Sequence, residues 1–184
     1  HAKAERDAVS ALFSVFEEYG YEEVSPPLLE YTESLLSGRG AEFATQVFRV
    51  LDPEAQKVMG IRADMTLQVA RIAASRLHDA SRPLRLSYAG PILRVHAEGL
   101  REKRQFMQAG IERIGEHSVQ ADAEVITLAA RALSKAGITN ITVDLNMPSL
   151  VALLLAEEAL SEEEAERAMH AIAHKDASAL SAMK

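Results

Sequence analysis

The stretch Arg104-Gln105-Phe106-Met107-Gln108-Ala109-Gly110-Ile111-Glu112-Arg113-Ile114 reads as a β-strand whose two faces differ in chemistry. Successive side chains of a strand point to opposite sides. Met107, Ala109 and Ile111 therefore share one face, suited to packing on helices, while Phe106, Gln108, Gly110 and Glu112 share the other. A glycine between two polar residues lets a small molecule come close to the backbone. Gln108 can donate and accept there, and Glu112 can accept. A sheet with one solvated face satisfies the same pattern.

Upstream, residues 84–94 read as a second strand, joined to the first by the polar loop 97–103. Arg94 ends that strand, where a guanidinium can clamp a carboxylate or phosphate with two parallel bonds, or simply form a surface ion pair. Thr66 is expected to cap a helix running to residue 77, with Leu67, Ala70, Ala74 and Leu77 on one face. Asp64 and Thr66 bracket its entry, a place that favours anions and capping groups, so a ligand role and a plain N-cap both fit.

Further out, helical spacing marks residues 3–19, closed by Gly20. An extended piece follows as far as Pro26-Pro27, then a helical turn over 32–37 before Gly38-Arg39-Gly40. Residues 46–51 and Val58–Ile61 read as hairpin arms around Asp52-Pro53. A helix is expected over 119–136, stopped by Gly137, then a strand over 141–145 and helices from Pro148 onward. This order predicts an α+β fold, an antiparallel sheet flanked by helices with a helical C-terminal segment. The expected division is a core over 1–147 and a helical segment over 148–184, the start of an insertion or linking region.

The net charge of −7 is unevenly spread. Between Arg62 and Arg104 eight arginines and one lysine face four acids, a balance of +5, and the remainder carries −12. A basic middle in an acidic chain suits a local anionic ligand better than a long nucleic acid, although solvated arginines give the same count. With no cysteine, disulfides and thiol chemistry are excluded, and a reducing cytoplasm is compatible. No apolar run approaches the ~20 residues needed to cross a bilayer. His170 and His174, with Glu166 one turn earlier, have zinc-compatible spacing, but the absence of a third strong ligand makes a solvated helix face the expectation. The acidic cluster from Glu157 to Glu166 reads as an exposed face. No glycine loop for phosphates of the P-loop or dinucleotide type is present.

Taken together, these residues resemble the class II aminoacyl-tRNA synthetase core, specifically its histidyl branch. Tyr19-Gly20-Tyr21-Glu22-Glu23-Val24, through Pro27 and Glu30, is similar to that group's first motif, whose proline lies at the dimer interface; here that is Pro27. Tyr88-Ala89-Gly90-Pro91-Ile92-Leu93-Arg94, followed by residues 104–112, is similar to the second motif. The resemblance covers about residues 5–150 and implies that Asp64, Thr66 and Gln108 hold the α-amino and backbone end of histidine. It further implies that Glu112 accepts from the imidazole and that Arg94 faces a phosphate.

Two departures matter. Where the synthetase has Arg-Pro-Glu-Gly-Thr, this chain has Arg62-Ala63-Asp64-Met65-Thr66. Where it has a glutamate two places after the motif arginine, used on ATP, this chain has His96, which cannot accept as a carboxylate does. Arg62-Ala63-Asp64-Met65-Thr66 running into Gln68-Val69-Ala70-Arg71 is similar instead to the synthetase paralogue that serves as the regulatory subunit of ATP phosphoribosyltransferase, apart from Leu67 where that family has proline. The resemblance implies a non-catalytic subunit of the first step of histidine biosynthesis. Its expected partners are a short catalytic subunit, a second copy of itself and histidine, without tRNA, cofactor, metal or membrane. With His1 in place of an initiator Met and no third motif, the chain is expected to be a piece of a longer protein. A fragment of an authentic histidyl-tRNA synthetase, or an interaction module that has lost the pocket, are the rival readings.

Overall fold

The computed structural model describes residues 2–38, 43–97, 103–145, 153, 155, 160–173 and 175–183. Apolar residues at helical spacing fold as α1 (Ala2–Glu18), which buries Val15 and Phe16. It closes where expected. Gly20 has φ +73°, and the Tyr21 amide turns back to the Phe16 carbonyl at 3.0 Å, a left-handed exit that glycine enters without steric penalty. The chain continues through β1 (Glu22–Glu23), β2 (Leu29–Tyr31) and a turn of helix, α2 (Thr32–Leu35). β3 (Phe48–Leu51) and β4 (Val58–Ile61) form the expected hairpin. Asp52 shapes its turn by accepting from the amides of Glu54 at 2.9 Å and Ala55 at 3.2 Å. Then come α3 (Thr66–Ser75), β5 (Leu84–Leu93), β6 (Gln105–Ile114), α4 (Val119–Lys135), α5 (Glu162–Ala173) and α6 (Ala177–Ser181). Two compact units divide the chain, His1–Ile141 and Thr142–Lys184. Arg39 and Gly40, residues 98–102 of the expected loop, Pro148, Glu157 and His174 lie outside the described residues.

The first unit holds two sheets, ordered β1-β5-β6 and β2-β4-β3. β5 and β6 pair antiparallel without interruption from Leu84↔Ile114 to Leu93↔Gln105. The two-residue β1 joins β5 in parallel, so that sheet is mixed. Register then assigns faces. Leu86, Tyr88, Gly90 and Ile92 fall opposite Glu112, Gly110, Gln108 and Phe106, and α3 packs on this side through Met65, Val69 and Ala73. On the other side α1 and α4 meet over Ile111, with Phe16, Tyr21, Leu128 and Ala132 in the core. Met65, Val69, Ile92 and Leu128 are wholly excluded from solvent, each such side chain stabilising the fold by ~1.5–3 kcal/mol.

A charged clamp fixes α4 to the hairpin. Glu124 Oε1 accepts from Tyr21 Oη at 3.1 Å and from Arg85 Nε at 3.0 Å, while Oε2 accepts from Arg85 Nη2 at 3.2 Å and pairs with Arg113. Hydrogen bonding from Arg85 holds the Glu124 carboxyl below the usual carboxylate range. Ser118 starts the same helix, its side chain accepting from the Ala121 amide at 3.1 Å.

Three expectations need correction. Residues 141–145 form no strand; branched residues favour extension, but a strand also needs a ladder partner, and no described strand pairs with them. Met107 remains 37% exposed and outside the core cluster, which on that face includes Ile111. The room at Gly110 is already filled. Gly110 sits directly across from Tyr88, and a Cβ there would lie 2.5 Å from the Tyr88 hydroxyl.

Gly90 is under a similar constraint, because a Cβ would collide with Nη2 of the buried Arg62. Arg62 donates to the carbonyls of Pro91 at 2.9 Å and Pro26 at 2.6 Å, so it has no easy retreat. Gly90→Ala is expected to destabilise the protein by ~1–3 kcal/mol through this overpacking, read as a lowered urea midpoint; an unchanged midpoint would refute the constraint.

Candidate functional site

The site is built around the start of α3. Residue 65 stands at the N-cap position without a side-chain cap. Asp64 supplies the capping interaction instead: its Oδ1 accepts from the Thr66 amide at 2.8 Å. Thr66 is thus the first helical residue rather than the cap, which leaves its hydroxyl available for other work. Asp64 Oδ2 accepts from Gln108 Nε2 at 2.7 Å, and Gln108 Oε1 accepts from the Met65 amide at 2.9 Å. Both ends of the Gln108 amide are therefore used to lock β6 to the mouth of α3.

A second chain of bonds leads from Thr66 to Glu112. The Thr66 and Tyr88 hydroxyl oxygens are 3.1 Å apart, and Tyr88 donates to Glu112 Oε1 at 3.1 Å. A hydroxyl has one proton; Tyr88 gives its own to Glu112, and Thr66 has one to give to either Tyr88 or Glu112. Arg94 completes the group, with Nε donating to the Ala63 carbonyl at 3.2 Å and the guanidinium 5.5 Å from the Phe106 ring centre. Asp64, Thr66, Arg94, Gln108 and Glu112, all half-buried, are thus gathered around one turn and one strand face. Beyond Arg94, the loop is stitched to the turn that precedes β3: Gln46 accepts from the amides of Val95 at 3.0 Å and His96 at 3.2 Å. The His96 residue itself is exposed.

The electrostatics follow from this packing. Burial raises the Glu112 carboxyl above its ordinary range; hydrogen bonds from Tyr88 and Thr66 oppose the rise and the Asp64 charge adds to it. Burial also pushes the Tyr88 phenol up to about 12, so it remains a donor at neutral pH. Two carboxylates bonded to neutral donors form an acceptor-rich site. Each carboxylate has about four acceptor positions, and the bonds described occupy two on Asp64. Such an arrangement is chemically suited to N–H groups or positive charge at two places. Among the described residues no group of three or more His, Asp or Glu side chains is arranged to hold a metal ion. No helix among them is long and apolar enough to cross a membrane.

Tyr88, Arg62 and Gln68 escaped the reading of single residues. Tyr88 is recoverable from sequence once the hairpin register is known, because the register places it across from Gly110. Arg62 and Gln68 resemble ordinary polar residues beside a helix start, yet they are 4% and 1% exposed, and no local pattern announces that.

A family model described as Histidyl-tRNA synthetase matches residues 1–184. The chain belongs to the histidyl-tRNA synthetase family. It is 50% identical, over 181 residues, to the ATP phosphoribosyltransferase regulatory subunit of Paramagnetospirillum magneticum, covering 98% of this chain and 48% of that protein. Identity to the protein of the same name from Ralstonia nicotianae is 40%, over 94% of this chain and 44% of the relative. The chain spans about half the length of the curated relatives it matches. A solved structure from Bacillus halodurans C, described as an ATP phosphoribosyltransferase regulatory subunit/histidyl-tRNA synthetase, superposes with a TM-score of 0.80 at 29% identity, over 95% of this chain and 45% of that one. Histidyl-tRNA synthetase from Nostoc sp. PCC 7120 superposes at 0.77 with 18% identity, over 93% of this chain and 40% of that one, a likeness of fold alone. The family fold and the similarity to the regulatory-subunit branch, both expected from the motifs, are borne out.

The raised Glu112 carboxyl has a stability consequence. Because the folded state holds this proton more tightly than the unfolded chain does, stability declines as pH rises from the ordinary glutamate range through the raised value. Glu112→Gln removes that titration and keeps an acceptor for Tyr88. The urea midpoint of wild type minus that of Glu112→Gln is expected to fall as pH rises above the ordinary glutamate range, and a difference that stays level or rises would contradict it.

Proposed function

We propose that this chain is part of a non-catalytic regulatory subunit of ATP phosphoribosyltransferase, required by a short catalytic subunit and conveying histidine feedback in the first step of histidine biosynthesis. The acceptor-rich network joining Asp64, Gln108, Thr66, Tyr88 and Glu112 is the observation that carries the reading. Histidine offers an α-ammonium at one end and imidazole N–H at the other. Asp64, Thr66 and Gln108 receive the first and Glu112 the second, with Arg94 placed toward the ligand's anionic end. The names of the relatives at 40–50% identity support the regulatory assignment. His96 supports it chemically, since adenylate formation needs accurately placed charge around a phosphate and an imidazole does not replace a carboxylate there.

Self-association belongs to the same proposal. Pro27 is exposed, and with it Leu28 at 42%, Leu29 at 39%, Tyr31 at 40% and Val50 at 43%. Leu29, Tyr31 and Val50 lie on one face of the β2-β4-β3 sheet, where Tyr31 and Val50 both pair with Met59. A second copy of the chain covers this face through a two-fold contact. Residues 148–184 begin a segment linking this core to the rest of the protein. For regulation to follow, histidine must favour one assembly state over another.

The test uses the full-length protein. Adding it to the short catalytic subunit is expected to restore phosphoribosyl transfer, with histidine inhibiting, while histidine-dependent pyrophosphate exchange is absent. Exchange activity without any stimulation of transfer would make the protein a synthetase and end this reading. In calorimetry, Glu112→Ala is expected to weaken histidine binding by about 1.5–3 kcal/mol, the scale of a hydrogen bond to a charged group. A folded variant with wild-type affinity removes Glu112 from the site.

A further inference from the structure

We propose that Arg62 and Gln68 are positioning residues for the amine end of the site, holding Asp64 and Thr66 in place from either side without touching the ligand; this rests on the histidine reading above. The two residues bracket the turn that carries Asp64 and Thr66, and both are buried. Neither is spent on the network itself; both reach into residues 26–30. Arg62 Nη1 donates to the Pro26 carbonyl at 2.6 Å. Gln68 Nε2 donates to the next carbonyl, Pro27, at 2.9 Å and to Glu30 Oε2 at 2.8 Å. Glu30 is in turn ion-paired to Arg71, one helical turn after Leu67.

Chemistry explains why this segment was chosen. Proline has no N–H, so Pro26-Pro27 cannot sustain a strand ladder, and their carbonyls must find donors elsewhere. The backbone closes the same joint, with the Arg62 amide donating to Leu28 at 3.0 Å and the Leu93 amide donating to Arg62 at 3.1 Å. Gln68 cannot turn its amide over, because both partners of Nε2 are acceptors. Its Oε1 is buried without a partner among the described residues, a penalty consistent with an amide committed to its two donated bonds. The turn at 63–67 is therefore anchored at both ends to one rigid segment. Asp64 hangs from that turn, and the Thr66 amide it caps belongs to the same anchored helix. Glu112 is seated on β6 and held by Tyr88 of β5, so the hairpin positions it and the anchored turn reaches it only through Thr66.

That asymmetry gives a test that general loosening does not mimic. Full-length wild type and Gln68→Met, which keeps the length of the side chain and removes both donated bonds, are titrated with histidine and with imidazole propionate, the analogue lacking the α-amino group. Gln68→Met is expected to weaken histidine about tenfold, the scale of one buried hydrogen bond, and to change imidazole propionate by less than about twofold. Equal weakening of both ligands, or of neither, would overturn the positioning role. Should Gln68→Met fail to fold, Gln68→Asn, which withdraws the amide by one methylene, is expected to give the same split. Wild type that binds neither ligand, or both equally, defeats the histidine reading itself and this inference with it. Wild type that discriminates, with a variant that discriminates equally, defeats only the inference.

Discussion

Tyr88 and Gly110 face each other across β5 and β6, and the site depends on that pairing. With no side chain at 110, the phenol lies over the neighbouring strand, and its hydroxyl is delivered between Thr66 and Glu112. A slip of one residue in the hairpin would leave Gln108 and Glu112 on the opposite face of the sheet from Tyr88. Ile111 in the core and Glu124 clamping Arg85 and Arg113 resist such a slip from the opposite face. The bonds that attach α4 thus also fix which way the ligand face points.

Neutral donors hold both carboxyl groups of the site. Asp64 and Glu112 are bonded to an amide, a phenol and a backbone N–H rather than to cations. Neutral donors orient a carboxylate without cancelling its charge. Burial raises the proton affinity of Glu112, and the Asp64 charge adds to the rise.

Periodicity was enough to expose most elements of the first unit, because α1, α3, α4 and the two hairpins each bury one face against another element. The five proposed ligand residues were reachable from strand alternation, a helix entry and family motifs, and they do assemble at one place. Their ligand roles remain a matter of the proposal, whereas their mutual bonds are geometry. What sequence did not give was the floor at Gly110. Alternation places a glycine on a face but does not say whether a ligand or a cross-strand tyrosine fills the space above it. Thr66 was displaced from the cap for a related reason: either oxygen-bearing residue can serve a helix entry, and here Asp64 reaches forward two positions to accept from the Thr66 amide. For residues 141–145 the branched side chains favoured an extended ladder whose partner no local pattern supplies. Burial of Arg62 and Gln68 depends on the path of residues 26–30, a long-range fact that propensity does not carry.

The consecutive prolines also have an architectural effect. β1 belongs to the sheet of the long hairpin and β2 to the sheet of the short one, and Pro26-Pro27 is where the chain leaves one for the other. A residue that cannot donate to a ladder makes this departure compulsory. The prolyl carbonyls, captured by side chains from residues 62 and 68, become a hinge pin between two sheets that share few strands' worth of direct bonding. Shear between the sheets would have to withdraw that pin, so the crossover stiffens the joint without a continuous strand running through it.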